Sequence, residues 1–181
     1  MPFPTELQTP RLRLRPWRGH DATELLPILQ ANQAHVGPWI PARVSTPSPV
    51  PELAERLDKF GELFREGREW RFAMIAGDDG RVLGEVGMFP RNASGRIGHA
   101  EADRAELGYW LREDATGQGL VTEGAQALVD LARSMREFSH LEIRCDPRNA
   151  PSGAVARRLG FDLVETTDEP LQIWTLSLGA R

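Results

Sequence analysis

The segment richest in chemical function runs from Leu111 to Glu123, with the sequence LREDATGQGLVTE. It joins a predicted strand to a predicted helix and places Gly117 and Gly119 at the turn between them. Glycines at such a turn let backbone N–H groups approach a phosphate closely, and the helix N-terminus adds about half a positive charge. The segment therefore predicts a cradle for a pyrophosphate, although a simple tight turn explains an isolated G-x-G equally well.

Two other phosphate-binding loops fit this segment poorly. A dinucleotide-binding fingerprint requires a third glycine at position 122, where the chain has Thr122. A P-loop requires Gly-Lys-Ser or Gly-Lys-Thr, and the segment contains neither. Dinucleotide binding therefore keeps little support as an alternative, and failure to bind NAD would remove it.

The hydrophobic pattern around this segment alternates between the period of a strand and the period of a helix. The predicted strands cover residues 11–17, 70–76, 82–89, 105–111, 141–145, 161–165 and 171–178. The predicted helices cover residues 21–33, 51–66, 117–136 and 151–159. This order predicts an α/β chain with one mixed sheet and helices on both of its faces.

Three local expectations follow from the same pattern. Asp21 and Glu24 have the spacing of a capping box at the start of the first helix, and Pro27 threatens a kink within it. The five prolines between residues 37 and 51 predict a loop. Strands 105–111 and 141–146 flank a crossover helix, so we expect them to be parallel, with a ligand at their carboxyl ends.

Composition excludes several classes of protein. The chain has 181 residues, 40% of them apolar and 27% charged, which is typical of one globular domain spanning residues 1–181. A formal net charge of −4 argues against a nucleic-acid partner, because phosphate binding favours a strong basic excess. The clustered arginines at 11, 13, 15 and 18 alternate with leucines, as on a half-buried strand.

Cysteine and histidine usage points to a reducing compartment and no metal. Cys145 is the single cysteine, so neither an internal disulfide nor a cysteine-type zinc site can form. The four histidines lack metal-ligand spacing. The sequence shows no signal-peptide pattern and no 18-residue apolar run, so we expect a cytoplasmic protein without a membrane partner.

Four spaced motifs together resemble the GCN5-related N-acetyltransferase (GNAT) superfamily over nearly the whole chain. They are GQGL at 117–120 and N-x-x-S-x-x-V-x-x-x-L-G-F at 149–161, with L-x-T-x-R-L-x-L-R at 7–15 and ELGYWL at 106–111. The last two resemble the ribosomal-protein N-terminal (RimJ/RimL-like) acetyltransferase branch. The resemblance implies a GNAT fold, with a twisted, mostly antiparallel mixed sheet of about seven strands flanked by about four helices.

The resemblance also implies that acetyl-CoA lies in a cleft where strands 105–111 and 141–146 splay apart. It implies that Trp110 and Leu111 lie beside the pantetheine arm, and that Asn149 hydrogen-bonds this arm from the opposite wall. The backbone of the loop is implied to hold the pyrophosphate through Thr116, Gly117, Gln118, Gly119, Leu120, Val121 and Thr122. Thr116 and Val121 depart from the Arg or Gln and the Gly or Ala that are frequent in the family, which predicts altered cofactor binding at most.

Acetyl transfer to an amine requires a neutral nucleophile, a polarised thioester carbonyl and a stabilised leaving thiolate. Glu106 is the candidate to accept the amine proton through a water, as enzymes that the chain resembles place an acid on this strand; a structural or solvated carboxylate is the alternative. A backbone N–H near Leu107 is the candidate to polarise the carbonyl. Trp39, in the sequence GPWIP, resembles the acceptor-side loop of the family, or anchors a proline-rich loop.

The position at which many relatives carry the general acid is vacant in this chain. Many members of the superfamily carry a tyrosine on the last helix, but the corresponding residue here is Ala156. Ser152 is the substitute we expect to hydrogen-bond the thiolate, with helix N-capping as its alternative role. Tyr109 is a weaker candidate, and Cys145 lacks a nearby His and Asp pattern that would make it an acyl-accepting nucleophile.

The best expectation for the acceptor is the α-amine of a protein N-terminus, with a ribosomal protein as partner. A small amine or an antibiotic is an alternative that would favour an acidic pocket, which Glu101, Asp103, Asp168 and Glu169 could supply. A second alternative is an acyl-CoA-binding module without catalysis. The sequence does not distinguish a monomer from a homodimer. A homodimer is an alternative because an exposed final strand in such folds often pairs across a dimer.

Overall fold

The computed structural model describes residues 3–166 and 170–179. One sheet of nine strands forms its centre. The strands are β1 (Leu7–Gln8), β2 (Leu12–Pro16), β3 (Trp70–Ala76), β4 (Val82–Asn92), β5 (Gly95–Arg96), β6 (Arg104–Leu111), β7 (His140–Cys145), β8 (Asp162–Thr166) and β9 (Gln172–Ser177). The helices are α1 (Ala22–Ala31), α2 (Gln33–Val36), α3 (Ala42–Ser45), α4 (Val50–Arg65), α5 (Leu120–Met135) and α6 (Ala150–Arg158).

The strands are arranged in the order β1-β2-β3-β4-β6-β7-β9-β8, with β5 paired to β4. Every pairing is antiparallel except that between β6 and β7, which confirms the predicted parallel crossover and the mostly antiparallel mixed sheet. The seven predicted strands are all present, and the two additional strands, β1 and β5, have two residues each.

Strand β3 shows how the alternating side chains build a core on both faces of the sheet. Phe72 and Met74 pack into the core beneath α5, whereas Ala73 and Ile75 pack into the core beneath α1 and α4. Because β3 is buried at all seven positions, helices must cover both faces. The layered arrangement predicted from the periodicity is therefore confirmed.

The first helix begins differently from the sequence prediction. Asp21 makes no side-chain cap on α1; its carboxylate accepts two hydrogen bonds from Arg15 at 2.7 Å and one from the backbone N–H of Arg18 at 2.9 Å. The Glu24 carboxylate accepts from the backbone N–H of Val82. The predicted capping box is thus wrong, because both carboxylates have partners on strands. Helix α1 also continues past Pro27 to Ala31.

Two further boundaries are corrected. The proline-rich stretch predicted as a loop over residues 37–51 contains the one-turn helix α3 and includes the start of α4. The helix predicted from residue 117 begins at Leu120, because Gly117 and Gly119 adopt left-handed φ angles of 76° and 75° that cannot be part of a right-handed helix.

The pairing of β6 with β7 covers only three registered pairs, from Ala105 with Leu141 to Leu107 with Ile143. Beyond Leu107, β6 continues to Leu111 in register with β4, while β7 stays paired with β9. The two parallel strands therefore separate toward their carboxyl ends. This separation opens the cleft that the sequence predicted at residues 105–111 and 141–146.

Candidate functional site

Two adjoining cavities of about 260 Å³ each occupy the cleft between β6 and β7. The α5-side cavity lies against the end of β6 and the start of α5, and the Glu106-side cavity lies against the middle of β6 and the end of β7. Both cavities are lined by Trp39, Ile40, Tyr109, Asn149 and Ser152. These shared residues form the junction through which a ligand could pass from one cavity to the other.

The α5-side cavity is mostly apolar and, besides Asn149 and Ser152 at the junction, contains four more of the residues predicted to contact a cofactor. Trp110 and Leu111 line it from β6, and Thr116 and Val121 line it from the loop before α5 and its first turn. Sequence analysis did not identify His35, which also lines this cavity. This combination of an apolar wall with a few polar groups suits a flexible, amide-containing ligand arm.

The glycine loop turns sharply between β6 and α5. Gly117 and Gly119 both have positive φ angles, which residues with a side chain adopt only with strain. The Thr116 hydroxyl closes the preceding turn by donating to the carbonyl of Glu113 at 2.7 Å. The first turn of α5 thus presents backbone N–H groups with no intrahelical partner at the mouth of the cavity, as an anion site requires.

Within this loop, two predicted residues can act on a ligand only through their backbones. The side chain of Leu120 is 7% exposed and packs in the core beneath α5, and that of Gln118 does not line either cavity. The hydroxyl oxygen of Thr122 is buried and has no hydrogen-bond partner among the described residues. Leu120 and Gln118 therefore contribute only backbone groups, whereas Thr116 and Val121 also line the cavity.

The start of α6 forms the opposite wall. The Asn149 side chain accepts a hydrogen bond from the backbone N–H of Ser152 at 3.3 Å and so caps α6. The alternative role of Ser152 as the N-cap is therefore wrong. The Ser152 hydroxyl instead lies 3.1 Å from the hydroxyl of Tyr109, which also lies 3.1 Å from the Ser152 carbonyl oxygen. The structure thus makes Tyr109 and Ser152 a hydrogen-bonded pair at the junction.

The environment of this pair keeps the nearby groups neutral. Burial raises the pKa of Tyr109 well above its usual value, and its hydrogen bond to Ser152 offsets only part of that effect. Burial also raises the pKa of Cys145, despite opposing hydrogen bonds from Ser152 and Trp174. A protonated cysteine is a poor nucleophile, so Cys145 does not suit the role of an acyl-accepting residue.

Glu106 lines the cleft, as predicted, and its carboxylate lies between two arginines. One carboxylate oxygen accepts from Arg91 at 2.8 Å, and the other accepts from Arg96 at 2.5 Å. Arg91 also lies 3.2 Å from Glu142, the residue paired with Glu106 across β6 and β7. The carboxylate is therefore oriented by charge-assisted hydrogen bonds and only 14% exposed.

Sequence reasoning missed both arginines that orient Glu106. Arg91 precedes Glu106 by fifteen residues and Arg96 precedes it by ten, so no local spacing connects them. Both also lie beyond the strand predicted over residues 82–89, which in the structure extends to Asn92. Arg91 is 7% exposed, and a charged group is buried only when it is paired.

Of the residues predicted on the acceptor side, Trp39 lines the cleft and the acidic residues Glu101 and Asp103 do not. Trp39 is 40% exposed and lines both cavities, as its predicted role requires. Glu101 and Asp103 line neither cavity, and Asp103 pairs with Arg104. Asp168 and Glu169 lie outside the described residues. Glu101 and Asp103 therefore do not supply an acidic pocket in either cavity.

The described residues were also compared with the requirements of a metal site and of a membrane-spanning helix. No group of three or more His, Cys, Asp or Glu side chains in residues 3–166 and 170–179 is placed to hold a metal ion. Within the same residues, every helix is too short or too polar to cross a lipid bilayer.

Comparison with known proteins connects this cleft to a chemistry. The family profile described as "Acetyltransferase (GNAT) domain" matches residues 11–162. The [ribosomal protein uS5]-alanine N-acetyltransferase of Escherichia coli (strain K12) is 26% identical over 156 residues, which are 86% of this chain and 77% of that protein. The ribosomal-protein-serine acetyltransferase of the same organism is 41% identical over 59 residues, or 33% of each chain.

Solved structures show the same fold. The RimL ribosomal L7/L12 α-N-protein acetyltransferase in complex with coenzyme A superposes with a TM-score of 0.79 and 20% identity, covering 97% of each chain. Similarity at this level of identity establishes the arrangement of strands and helices.

Proposed function

The chain belongs to the GNAT acetyltransferase family and uses acetyl-CoA as its donor, and we propose that its acceptor is the α-amine of a protein N-terminus, with a ribosomal protein as the best candidate. The observation that carries this proposal is the junction of the two cavities. There the Tyr109 and Ser152 hydroxyls lie between an apolar cavity suited to the donor and a second cavity that contains Glu106.

The residues of the α5-side cavity fit the donor. The first turn of α5 offers N–H groups and the positive end of the helix dipole to a pyrophosphate without using a lysine. Trp110 and Leu111 supply an apolar wall for a pantetheine arm. Asn149 uses its side-chain oxygen to cap α6, which leaves its NH₂ group to donate to an amide carbonyl of that arm.

The proposed reaction is direct attack in a ternary complex. The amine nitrogen uses its lone pair to bond to the thioester carbonyl carbon, and the carbon–sulfur bond then breaks. Glu106 accepts the amine proton through a water, since its carboxylate is held toward the Glu106-side cavity. The Ser152 hydroxyl donates a hydrogen bond to the departing sulfur, while the Tyr109 hydroxyl donates to the Ser152 carbonyl oxygen. A backbone N–H near Leu107 polarises the carbonyl oxygen.

Charge in the Glu106-side cavity favours a peptide over a polycation. The charged residues that line it are Arg96, Arg144, Glu106 and Asp146, two of each sign. Both Glu106 and Asp146 already accept from arginines. A polyamine or an aminoglycoside would gain most from an acidic excess, whereas a peptide N-terminus brings one cationic amine followed by neutral amides.

We further propose that residues 1–181 act as a single acetyltransferase domain. A ribosomal acceptor and a single cysteine are consistent with a cytoplasmic location. Neither proposal affects the catalytic assignment, which depends only on the cleft.

The test of the catalytic assignment is Glu106→Gln. This change keeps the size and one acceptor oxygen but removes the base, so kcat/KM should fall by about 10²- to 10⁴-fold while the dissociation constant for CoA stays within twofold. Glu101→Gln, an exposed change outside both cavities, is the matched control and should leave both quantities unchanged. Unchanged turnover in Glu106→Gln would remove this residue from the mechanism.

The non-catalytic alternative rests on Ala156, which is fully buried where many relatives carry a catalytic tyrosine. The same assay distinguishes it. Tight binding of acetyl-CoA by the wild-type chain without transfer to any amine would support an acyl-CoA-binding module.

A further inference from the structure

We propose that Thr9, Arg11 and Glu123 form a clamp that holds the glycine loop in its phosphate-binding shape, which makes Arg11 a positioning residue for the donor; the inference rests on the proposed placement of the pyrophosphate at this loop. These residues line neither cavity of the cleft. They come from the segment before β2 and from the first turns of α5.

The clamp consists of four contacts between two distant parts of the chain and one local contact between Leu12 and Thr9. One Glu123 oxygen accepts from the Thr9 hydroxyl at 2.5 Å and from the Arg11 backbone N–H at 2.8 Å. The other oxygen accepts from Arg11 Nε at 2.7 Å. Arg11 Nη1 donates to the carbonyl oxygen of Gln118 at 2.9 Å, and the Thr9 hydroxyl oxygen also accepts from the Leu12 backbone N–H at 3.0 Å.

The contact with Gln118 is the step that links the clamp to the loop. Gln118 lies between Gly117 and Gly119, the two positions with left-handed φ angles. Two flexible glycines give the free loop many alternative conformations, so an external restraint is needed to keep the peptide planes fixed. Arg11 binds the carbonyl oxygen of the peptide unit that follows Gln118, which fixes the orientation of that unit.

The clamp also neutralises the negative charge of Glu123, which would otherwise be unfavourable near a bound anion. Glu123 belongs to the first turns of α5, where the helix dipole would attract the proposed pyrophosphate. A free carboxylate at this position would repel that anion. Arg11 and Thr9 occupy both oxygens of Glu123, and these hydrogen bonds hold its pKa below the usual value even though burial raises it. The glutamate thus remains paired with Thr9 and Arg11 and presents no free carboxylate to the loop.

A role in overall stability explains these contacts poorly. The Arg11 side chain is 49% exposed, and exposed ion pairs contribute little to the free energy of folding. The contribution should therefore be local, in the ordering of residues 117–119. Arg13, which lies two residues further along β2 and is also exposed, provides a matched arginine without contact to the loop.

The experiment compares wild type, Arg11→Ala, Arg13→Ala and the double variant Arg11→Ala/Glu123→Gln. Quenching of the fluorescence of the cleft tryptophans Trp39 and Trp110 measures binding of CoA and of pantetheine, which lacks the pyrophosphate. Arg11→Ala should weaken CoA binding about tenfold, because it removes two charge-assisted hydrogen bonds, and leave pantetheine binding unchanged. The double variant should bind CoA more tightly than Arg11→Ala does, because it also removes the negative charge of Glu123, which the Arg11 guanidinium no longer neutralises.

The outcomes separate the clamp from damage to the fold and from the proposed function. Equal CoA affinities of Arg11→Ala and Arg13→Ala would overturn the clamp, as would equal losses for CoA and pantetheine in Arg11→Ala. If the wild-type chain binds CoA but acetylates no amine, the proposed acceptor chemistry fails while the four CoA affinities still decide the clamp. Failure of the wild type to bind CoA would overturn both.

Discussion

Individual side chains at the junction of the two cavities carry the proposed transfer of the acetyl group. Ser152 and Tyr109 lie 3.1 Å apart there, and burial keeps the pKa of Tyr109 above its usual value. A tyrosine that stays protonated can keep donating to Ser152 over the whole neutral and mildly alkaline range. The hydroxyl pair therefore stabilises the leaving sulfur by hydrogen bonding and does not require an ionised phenol.

Removal of the Ser152 hydroxyl should slow the chemical step. We expect Ser152→Ala to lower kcat about ten- to a hundredfold, because the departing sulfur loses its hydrogen-bond donor, with little change in CoA affinity. Steady-state kinetics together with CoA titration would check this. Ser134→Ala, an exposed serine on α5, is the control. A rise in the CoA dissociation constant with constant kcat would show that Ser152 only shapes the cofactor site.

At the scale of single elements, the loop before α5 depends on left-handed backbone angles. Gly119→Ala should strain the turn by about 1–2 kcal/mol and weaken CoA binding severalfold, because φ is +75° there. Gly80→Ala is a closely matched control, since Gly80 has the same φ of +75° in the turn between β3 and β4, far from both cavities. Melting temperature and CoA affinity, measured for both variants, would test this.

The control separates strain from binding. Both variants should lose similar stability, and only Gly119→Ala should lose CoA affinity. Normal CoA binding by Gly119→Ala would mean that the loop does not hold the pyrophosphate.

The secondary structure could largely be predicted from the sequence because most elements have a regular hydrophobic period. In β3, Trp70, Phe72 and Met74 alternate along one face, and in α5 the buried apolar residues recur at helical spacing, so both elements followed directly from the period. The two-residue strands β1 and β5 are too short to show any period. The capping box was predicted wrongly because Asp21 binds Arg15, and local spacing does not reveal a partner in the preceding strand.

Only part of the candidate site could be predicted from the sequence. Motif spacing identified the glycine loop, Asn149, Ser152 and Glu106, and the structure places them around one cleft. It did not identify Arg91 and Arg96, whose partners are distant in the sequence, nor the pairing of Tyr109 with Ser152 across two elements. Contacts of this kind depend on the register between strands, which a single sequence does not show.

At the scale of the whole molecule, buried ion pairs connect the strands and helices. Arg15 and Asp21 join β2 to the start of α1, with side chains 11% and 4% exposed. Burial raises the pKa of Asp21, but hydrogen bonds from Arg15 and the Arg18 backbone lower it more, and the net pKa lies below 3.8. A carboxylate with a lowered pKa stabilises the fold above its unfolded pKa, and this stabilisation is lost as the pH falls through the folded pKa.

Asp21→Asn should therefore reduce the unfolding free energy at pH 7 by about 2 kcal/mol, because a buried charge-assisted pair is broken. The difference from wild type should shrink as the pH is lowered below about 4. Urea denaturation at several pH values would measure both effects. Asp130→Asn, on the exposed face of α5, should show neither. A difference that stays constant with pH would contradict the assignment.

The most direct test of the whole account is acetyl transfer by the wild-type protein. Acetyl-CoA would be incubated with peptides carrying free Ser, Ala or Thr N-termini, with N-blocked copies of the same peptides, and with polyamines and aminoglycosides, while release of free CoA thiol is followed. The account predicts faster release with free peptides and none with the blocked copies. Release stimulated only by polyamines or aminoglycosides, or by no amine despite CoA binding, would contradict it.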